Sequence, residues 1–259
     1  MPSLADGLRM RSQTYLLTGE FEQSVVDIEE AWGLDETTRN LWGRTFSRLQ
    51  RGAVRMELGQ REAAIADLRD AVAVAMTTEV GLLKIATEGS LAMALTAEGR
   101  LDEARTTLES AVQYVAGSLR DVLPVGLGVQ AWLELADGNL DAARKAADQS
   151  DMLYGSPFAS GGLRFWVGPV ETALALGEPA VARARMEPIL AATVAAGARA
   201  WEPDARRLMG EVLMAEGRVE AAQLEFRRAL EVSHAIGQIA GRDRIEAHLQ
   251  GAGTPTPAS

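Results

Sequence analysis

Residues 49–76 read LQRGAVRMELGQREAAIADLRDAVAVAM, two amphipathic segments that meet at Gly59. After the glycine, Ala64, Leu68 and Ala71 follow each other at spacings of four and three residues, which is the period of one face of an α-helix. A glycine between two such segments favours the left-handed conformation in which helices commonly end. The stretch therefore predicts two antiparallel helices joined by a short turn at Gly59.

The same pattern occurs six times, at intervals of 39 or 40 residues. The turn glycines are Gly19, Gly59, Gly99, Gly138, Gly177 and Gly217. Five positions later stands a small residue, which is Ser24, Ala64, Ala104, Ala143, Ala182 or Ala222. Seven positions before the glycine the residue is again small, with Val170 as the exception. Two helices that cross closely need positions without bulk, so the sequence predicts an all-α solenoid of six helix pairs.

These positions resemble the tetratricopeptide repeat family. The family's small residue, turn glycine, alanine, large apolar residue and second alanine are matched by Gly52, Gly59, Ala64, Leu68 and Ala71, and equally by Gly210, Gly217, Ala222, Phe226 and Ala229. The resemblance covers roughly residues 4–237, although the period is longer than the family's ~34 residues and the usual closing proline is absent. It implies a right-handed superhelix of antiparallel helix pairs.

A second resemblance concerns residues 206–213 and 225–232. They are similar to the last repeat in the helical sensor regions of large bacterial signalling ATPases, including maltose-activator-like LuxR-type regulators and cyclase-linked relatives. This resemblance implies a regulatory context for the chain.

We predict one repeat domain over residues 1–250, followed by a linker or disordered tail at 251–259. The six units span approximately residues 1–35, 36–76, 77–117, 118–152, 153–197 and 198–237, and residues 238–250 form a capping helix. Because each unit of a solenoid packs on the next, we expect contacts between neighbouring units. In unit five, Pro169 and Pro188 fall inside the two predicted helices, where proline removes a hydrogen bond and bends the axis.

The composition excludes several classes of catalytic and cofactor-binding site. The 259 residues contain no cysteine and two histidines, so thiolate zinc sites, iron–sulfur clusters and histidine metal clusters are not expected. The net charge of −10 argues against direct binding of nucleic acid. The sequence has neither a secretory signal nor an apolar run near the ~20 residues of a membrane span, so we expect a cytoplasmic protein without membrane contact.

A possible cofactor motif occurs at Gly126, Gly128 and Ala131, which spell G-x-G-x-x-A. The dinucleotide-binding chemistry needs a preceding strand, whereas here Pro124 precedes and the motif falls within a predicted helix. No convergent set of acid, base, nucleophile or metal ligands is visible. The sequence therefore predicts a chain that is not an enzyme and needs no cofactor.

The tetratricopeptide resemblance implies a concave binding groove lined by the first helix of each pair. Nine residues, here named the groove candidates, are predicted to line it: Phe46, Gln50, Met93, Val129, Trp132, Arg164, Glu171, Arg207 and Glu211. The apolar members would supply affinity with Trp132 as the anchor, and the charged members would fix orientation. Alternatively, these side chains pack on neighbouring units, and Arg207 pairs with Glu211 four residues later.

We therefore expect a non-catalytic sensor module of a bacterial regulatory or transcriptional signalling protein. Its groove would take a protein, a peptide or an apolar small molecule, and homo-oligomers are compatible with the sequence. The lysine, asparagine and arginine set with which some tetratricopeptide proteins grip a peptide C-terminus is absent, which argues against that mode. The alternative is a stand-alone scaffold that bridges protein partners through its outer surface and ends.

Overall fold

The structure is a computed structural model that describes residues 3–78, 80–118, 123–151 and 164–251. These residues form thirteen helices and no strand. The helices are α1 (Leu4–Thr18), α2 (Phe21–Thr38), α3 (Leu41–Glu57), α4 (Arg61–Ala75), α5 (Gly81–Ala97), α6 (Leu101–Ser118), α7 (Leu123–Ala136), α8 (Leu140–Asp151), α9 (Val167–Ala175), α10 (Pro179–Ala195), α11 (Glu202–Ala215), α12 (Val219–Ala235) and α13 (Arg242–Gly251). The all-α architecture of six helix pairs is confirmed, and the predicted tail lies, apart from Gly251, outside the described residues.

The turn glycines end the first helix of each pair as the pattern predicts. All six adopt a positive φ, between 70° and 85°. At Gly59 the chain reverses so that the N–H of Gln60 donates to the carbonyl oxygen of Arg55 at 2.8 Å, which satisfies a carbonyl at the helix end. A side chain would strain this backbone conformation, and this explains why glycine recurs there.

The small residues of the repeat allow the two helices of a pair to cross closely. A Cβ atom on Gly52 would lie 2.8 Å from the Leu68 side chain, and one on Gly210 would lie 2.5 Å from the Phe226 ring. Ala64 is fully buried at the same crossing. The large residue of the second helix therefore packs directly on the backbone of the first helix.

The first helices also stack on each other from unit to unit. Helix α1 contacts α3, α3 contacts α5, α5 contacts α7, and α9 contacts both α7 and α11. The stacked first helices form one continuous surface, the one on which the concave groove is predicted, and we name it the concave surface.

The expectation that contacts lie between neighbouring units is wrong at one place. The N–H of Ala200, just before α11, donates to the carbonyl oxygen of Leu17 at 3.0 Å. The N–H groups of Ile239 and Ala240 donate to the carbonyl oxygen of Glu57 at 2.8 and 3.1 Å. The superhelix turns tightly enough to bring the loops of units five and six onto units one and two.

The turn glycines of units one and two make this long-range closure possible. A Cβ on Gly19 would lie 2.7 Å from the Ile236 side chain, and one on Gly59 would lie 3.0 Å from Ile239. Because these glycines carry no side chain, the isoleucines rest directly on the turns. Leu16 and Phe21 consequently belong to one core cluster with residues of α9 to α13.

Unit five differs from the sequence expectation at one of its two prolines. Helix α9 begins at Val167, so Pro169 stands in its first turn. N–H groups there have no partner within the helix, and proline therefore removes no hydrogen bond. Pro188 does lie inside α10 as predicted.

Candidate functional site

Eight of the nine groove candidates lie on the first helices α3, α5, α7, α9 and α11, and Arg164 lies just before α9. None of them is exposed. Gln50, Val129 and Arg207 are buried, and the other six are half-buried. Their environments differ between the two ends of the surface.

Four of the candidates are joined by hydrogen bonds across three first helices. The indole N–H of Trp132 on α7 donates to Glu171 on α9 at 2.9 Å. Arg207 on α11 donates to Glu171 at 3.0 Å and to Glu211 at 2.6 Å. Arg207 is 1% exposed, so its pairing with Glu211 is a buried interaction. We name the residues Trp132, Glu171, Arg207 and Glu211, with the partners described next, the charge network.

Arg164 extends the charge network to the start of the chain. It forms ion pairs with Glu57 at 2.8 Å and with Asp204 at 3.1 Å. Gln238 donates to Glu57 at 2.5 Å and to the carbonyl oxygen of Ala200 at 2.9 Å. Asp204 also lies 3.5 Å from Arg207, so the side chains that close the superhelix are connected to Arg207 and its partners.

Sequence reasoning missed Glu57, although a signal was present. It stands two positions before the turn glycine, where the other five units have Leu17, Ala97, Ala136, Ala175 and Ala215. A lone charge at a position that is otherwise apolar indicates a specific partner, because an unpaired buried carboxylate is costly. Nothing local to unit two identifies that partner as Arg164.

The C-terminal helix α13 completes the charge network. Arg244 donates to Glu171 at 2.9 Å, and Nε2 of His248 lies 2.8 Å from Oε1 of Glu211. The His248 ring also stacks on Phe226, with 4.6 Å between ring centroids. Helix α13 is thereby fixed to α9, α11 and α12.

The electrostatics of the charge network favour permanent ionisation of Asp204 and Glu211. Burial opposes ionisation of Glu211, but the hydrogen bond from His248 and the charge of Arg207 lower the pKa of its carboxyl to about 2. Burial likewise opposes ionisation of Asp204, and the charges of Arg164 and Arg207 lower its pKa below the ordinary value. Carboxylates held in this way are suited to structural pairing rather than to proton transfer near neutral pH.

The remaining groove candidates lie in other surroundings. The Phe46 ring stacks on Trp42, with 5.9 Å between centroids and 20° between planes. Gln50 donates to the carbonyl oxygen of Arg9 at 3.2 Å. Met93 and Val129 pack in the core cluster of units two to four. Gln50, Met93 and Val129 therefore pack against neighbouring units, as the alternative interpretation of the groove candidates predicted.

One part of the concave surface exposes large apolar side chains. Trp42 and Leu82 are 40% and 46% exposed, and each stands seventeen positions before its turn glycine on the adjacent helices α3 and α5. Phe46 lies one turn further along α3. We name Trp42, Phe46 and Leu82 the Trp42 face. The register taken from a shorter repeat ended thirteen positions before the glycine and therefore missed Trp42 and Leu82.

The glycine motif of α7 lies at a helix crossing. A Cβ on Gly128 would clash with the backbone carbonyl of Phe165, and one on Gly168 of α9 would clash with the backbone of α7. The two glycines let α7 and α9 approach to backbone contact. This packing gives Gly128 a structural reason that is independent of any dinucleotide.

Two cavities lie in grooves between consecutive units. One of about 400 Å³ is lined by α10, α11 and α12, and one of about 250 Å³ is lined by α6 and α7. Arg183 and Arg105, each six positions after a turn glycine, line the two cavities and pair with Glu216 and Glu134. Both grooves combine an apolar floor with a charged rim.

Across the described ranges, no three histidine, aspartate or glutamate side chains come together as a potential metal site. Within the same ranges, no helix combines the length and the apolarity needed to cross a membrane.

The fold is similar to that of solved structures, one of which is a tetratricopeptide repeat protein. A tetratricopeptide repeat protein from Parabacteroides merdae aligns with a TM-score of 0.58 over 95% of this chain and 83% of its own, at 16% identity. PilF of Pseudomonas aeruginosa aligns with a TM-score of 0.52 over 94% of this chain and 97% of its own, at 14% identity. No protein-family model and no curated protein matches the chain. The likeness establishes a tetratricopeptide-repeat-like solenoid fold.

Proposed function

We propose that this chain is a non-catalytic interaction module that binds a protein partner through the Trp42 face. The observation that carries the proposal is the exposure of Trp42 and Leu82 on adjacent first helices, with Phe46 beside them. Aromatic side chains on a rigid helical surface are typical anchors of protein interfaces. Supporting evidence is the solenoid fold, which provides an extended surface of stacked helices.

The other end of the concave surface is less suited to a ligand. Arg207 and Glu171 are already satisfied by partners within the chain, and Arg207 is buried. A ligand at Trp132 would have to break buried ion pairs, and leaving one of their members unpaired costs ~3–5 kcal/mol. Of the groove candidates, Phe46 therefore remains part of the proposed binding surface, and Trp42 replaces Trp132 as its anchor.

The chemistry of the Trp42 face fits an amphipathic helix of the partner. Trp42 and Phe46 lie one turn apart on α3, and Leu82 stands at the matching position of α5. Apolar residues along one face of a partner helix can cover this small apolar surface. We further propose that the partner brings a regulatory signal to a larger bacterial signalling protein, in line with the resemblance of residues 206–232 to sensor regions.

A second candidate function is a scaffold that binds partners on the outer grooves. The cavity of about 400 Å³ between α10 and α12 favours it, because exposed Leu224 at its edge leaves apolar surface accessible. The two functions differ in which surface loses affinity on mutation.

The test is partner binding by the full chain and two alanine variants. A partner is first captured with the wild-type chain, and the purified pair is then measured by titration calorimetry. Trp42→Ala should weaken binding by ~30-fold, the loss expected for a central aromatic anchor. Leu224→Ala, also an exposed apolar truncation, serves as the matched control and should leave affinity unchanged. A loss confined to Leu224→Ala would overturn the proposal in favour of the scaffold.

A further inference from the structure

Helix α3 carries a stripe of arginines on the side away from the Trp42 face. Arg44, Arg48, Arg51 and Arg55 are spaced by four, three and four residues, which places them on one face of the helix. They point toward α2 and α4 in a chain whose net charge is −10. A concentration of positive charge in an acidic protein needs a specific explanation.

Carboxylates within the chain account for the lower part of the stripe. Asp67 of α4 is buried and accepts from Arg51 at 2.6 and 2.8 Å and from Arg55 at 2.6 Å. Arg51 also forms an ion pair with Glu29 of α2. Arg48 reaches Asp67 at 3.4 Å, the longest of these contacts.

The upper part of the stripe, Arg44 and Arg48, contacts an aromatic ring. The guanidinium groups of Arg44 and Arg48 lie 5.2 and 3.9 Å from the centroid of the Trp32 ring. In the part of the chain that the structure describes, no carboxylate comes within ion-pair distance of Arg44. Its Nε is shielded from solvent without a hydrogen-bond partner, so its terminal nitrogens are the part of the group that faces water.

Stacking on Trp32 fixes the orientation of both guanidinium groups before any ligand arrives. A preorganised planar donor loses less conformational entropy on binding than a free arginine does. The two terminal nitrogens of Arg44 are therefore available to donate a pair of hydrogen bonds to a ligand. Arg48 adds a second positive charge beside them, because its ion pair with Asp67 is long at 3.4 Å.

We propose that Arg44, with Arg48 beside it, binds a carboxylate side chain of a protein partner. A carboxylate matches the flat guanidinium edge, and Asp67 shows the same recognition one turn further along α3. Asp67 and Glu29 offset the charges of Arg51 and Arg55, and Arg48 is partly engaged by Asp67, so the positive charge left for a ligand is mainly that of Arg44, which matches a single carboxylate. The site is separate from the Trp42 face and does not depend on the proposed function.

The probe is a helical peptide that carries pairs of glutamates four residues apart, compared with the same peptide carrying glutamines. Binding to the full chain is measured by calorimetry and by the Nε–Hε signal of Arg44 in nitrogen-15 spectra, at low and high salt. The glutamate peptide should bind and shift the Arg44 signal, whereas the glutamine peptide should bind at least ~10-fold more weakly.

Two arginine variants make the assignment specific. Arg44→Gln should weaken binding of the glutamate peptide by ~10-fold at an unchanged melting temperature. Arg61→Gln is the matched control, because Arg61 is an exposed arginine that pairs with Glu98, and it should leave affinity unchanged. If Arg44→Gln lowers the melting temperature, Arg44→Lys supplies the test, since it keeps the charge but loses the bidentate edge and should bind several-fold more weakly.

Three results would overturn the inference. The first is equal binding of the glutamate and glutamine peptides. The second is unchanged affinity in both Arg44→Gln and Arg44→Lys. The third is displacement of the peptide by inorganic phosphate at lower concentration than by free glutamate, which would assign the site to phosphate.

Discussion

Replacement of Glu57 by alanine removes the carboxylate that joins the start of the chain to its end. The side chain of Glu57 pairs with Arg164 at 2.8 Å and accepts from Gln238 at 2.5 Å, and both partners come from units five and six or the loop that follows. The backbone hydrogen bonds from Ile239 and Ala240 to the carbonyl oxygen of Glu57 are retained in the variant. The substitution therefore tests the side-chain part of the closure.

The expected loss of stability depends on the contacts that Arg164 and Gln238 retain in the variant. Removal of one member of a buried ion pair costs ~3–5 kcal/mol when the other is left unpaired. Here Arg164 retains Asp204 at 3.1 Å, and Gln238 retains the carbonyl oxygen of Ala200 at 2.9 Å. We therefore expect a smaller loss, ~2–3 kcal/mol in the free energy of unfolding.

The assay is urea unfolding at pH 7 followed by circular dichroism. Glu62→Ala is the control, because Glu62 is an exposed glutamate in the same helix pair, and it should change stability by less than ~0.5 kcal/mol. In a double-mutant cycle, Glu57→Ala and Arg164→Ala should be non-additive by at least ~1 kcal/mol. A loss for Glu57→Ala no larger than that of the control, or an additive cycle, would show that this ion pair does not stabilise the closure.

Two further predictions concern the charge network and the crossing of α7 and α9. Because the folded state lowers the pKa of Glu211 to about 2, its contribution to stability is present above the ordinary value of 4.5 and is lost as the pH falls toward 2. Glu211→Gln should therefore lower the free energy of unfolding at pH 7 by ~2–3 kcal/mol. In urea titrations, the difference from the wild type should shrink between pH 4.5 and 2. A difference that does not depend on pH would contradict this prediction. Gly128→Ala should lower the free energy of unfolding by ~1–3 kcal/mol, because the new Cβ would clash with a backbone carbonyl. Gly33→Ala, in open space within α2, is the control and should raise the free energy of unfolding by ~0.5–1 kcal/mol. Equal melting temperatures of the two variants would show that the helices do not cross at Gly128.

The repeat was predictable from sequence because its determinants are local. A turn glycine such as Gly59 fixes a helix end, and Gly52 must be small because Leu68 lies on it. The turn glycine, the small residue and the large apolar residue keep these spacings in most of the other units, so the structure of one unit predicts that of the others. The same register placed Trp132, Glu171, Arg207 and Glu211 on neighbouring first helices, and the structure brings them together.

The closure and the Trp42 face were not predictable in the same way. Contact between Glu57 and Gln238 depends on the twist accumulated over several units, and no local period encodes that twist. For this reason the sequence could not reveal that the charge network is satisfied within the chain. Helix α3 begins at Leu41, one turn before the register of the shorter repeat, and Trp42 lies in that additional turn.

A partner that occupies the Trp42 face leaves the charge network in place. The most direct measurement is amide hydrogen exchange of the full chain with and without the captured partner. We expect slower exchange in α3 and α5 around Phe46 and Leu82, with the exchange of α9, α11 and α13 unchanged. Protection centred on α9 and α11 around Glu171 and Arg207, with none in α3 and α5, would contradict it.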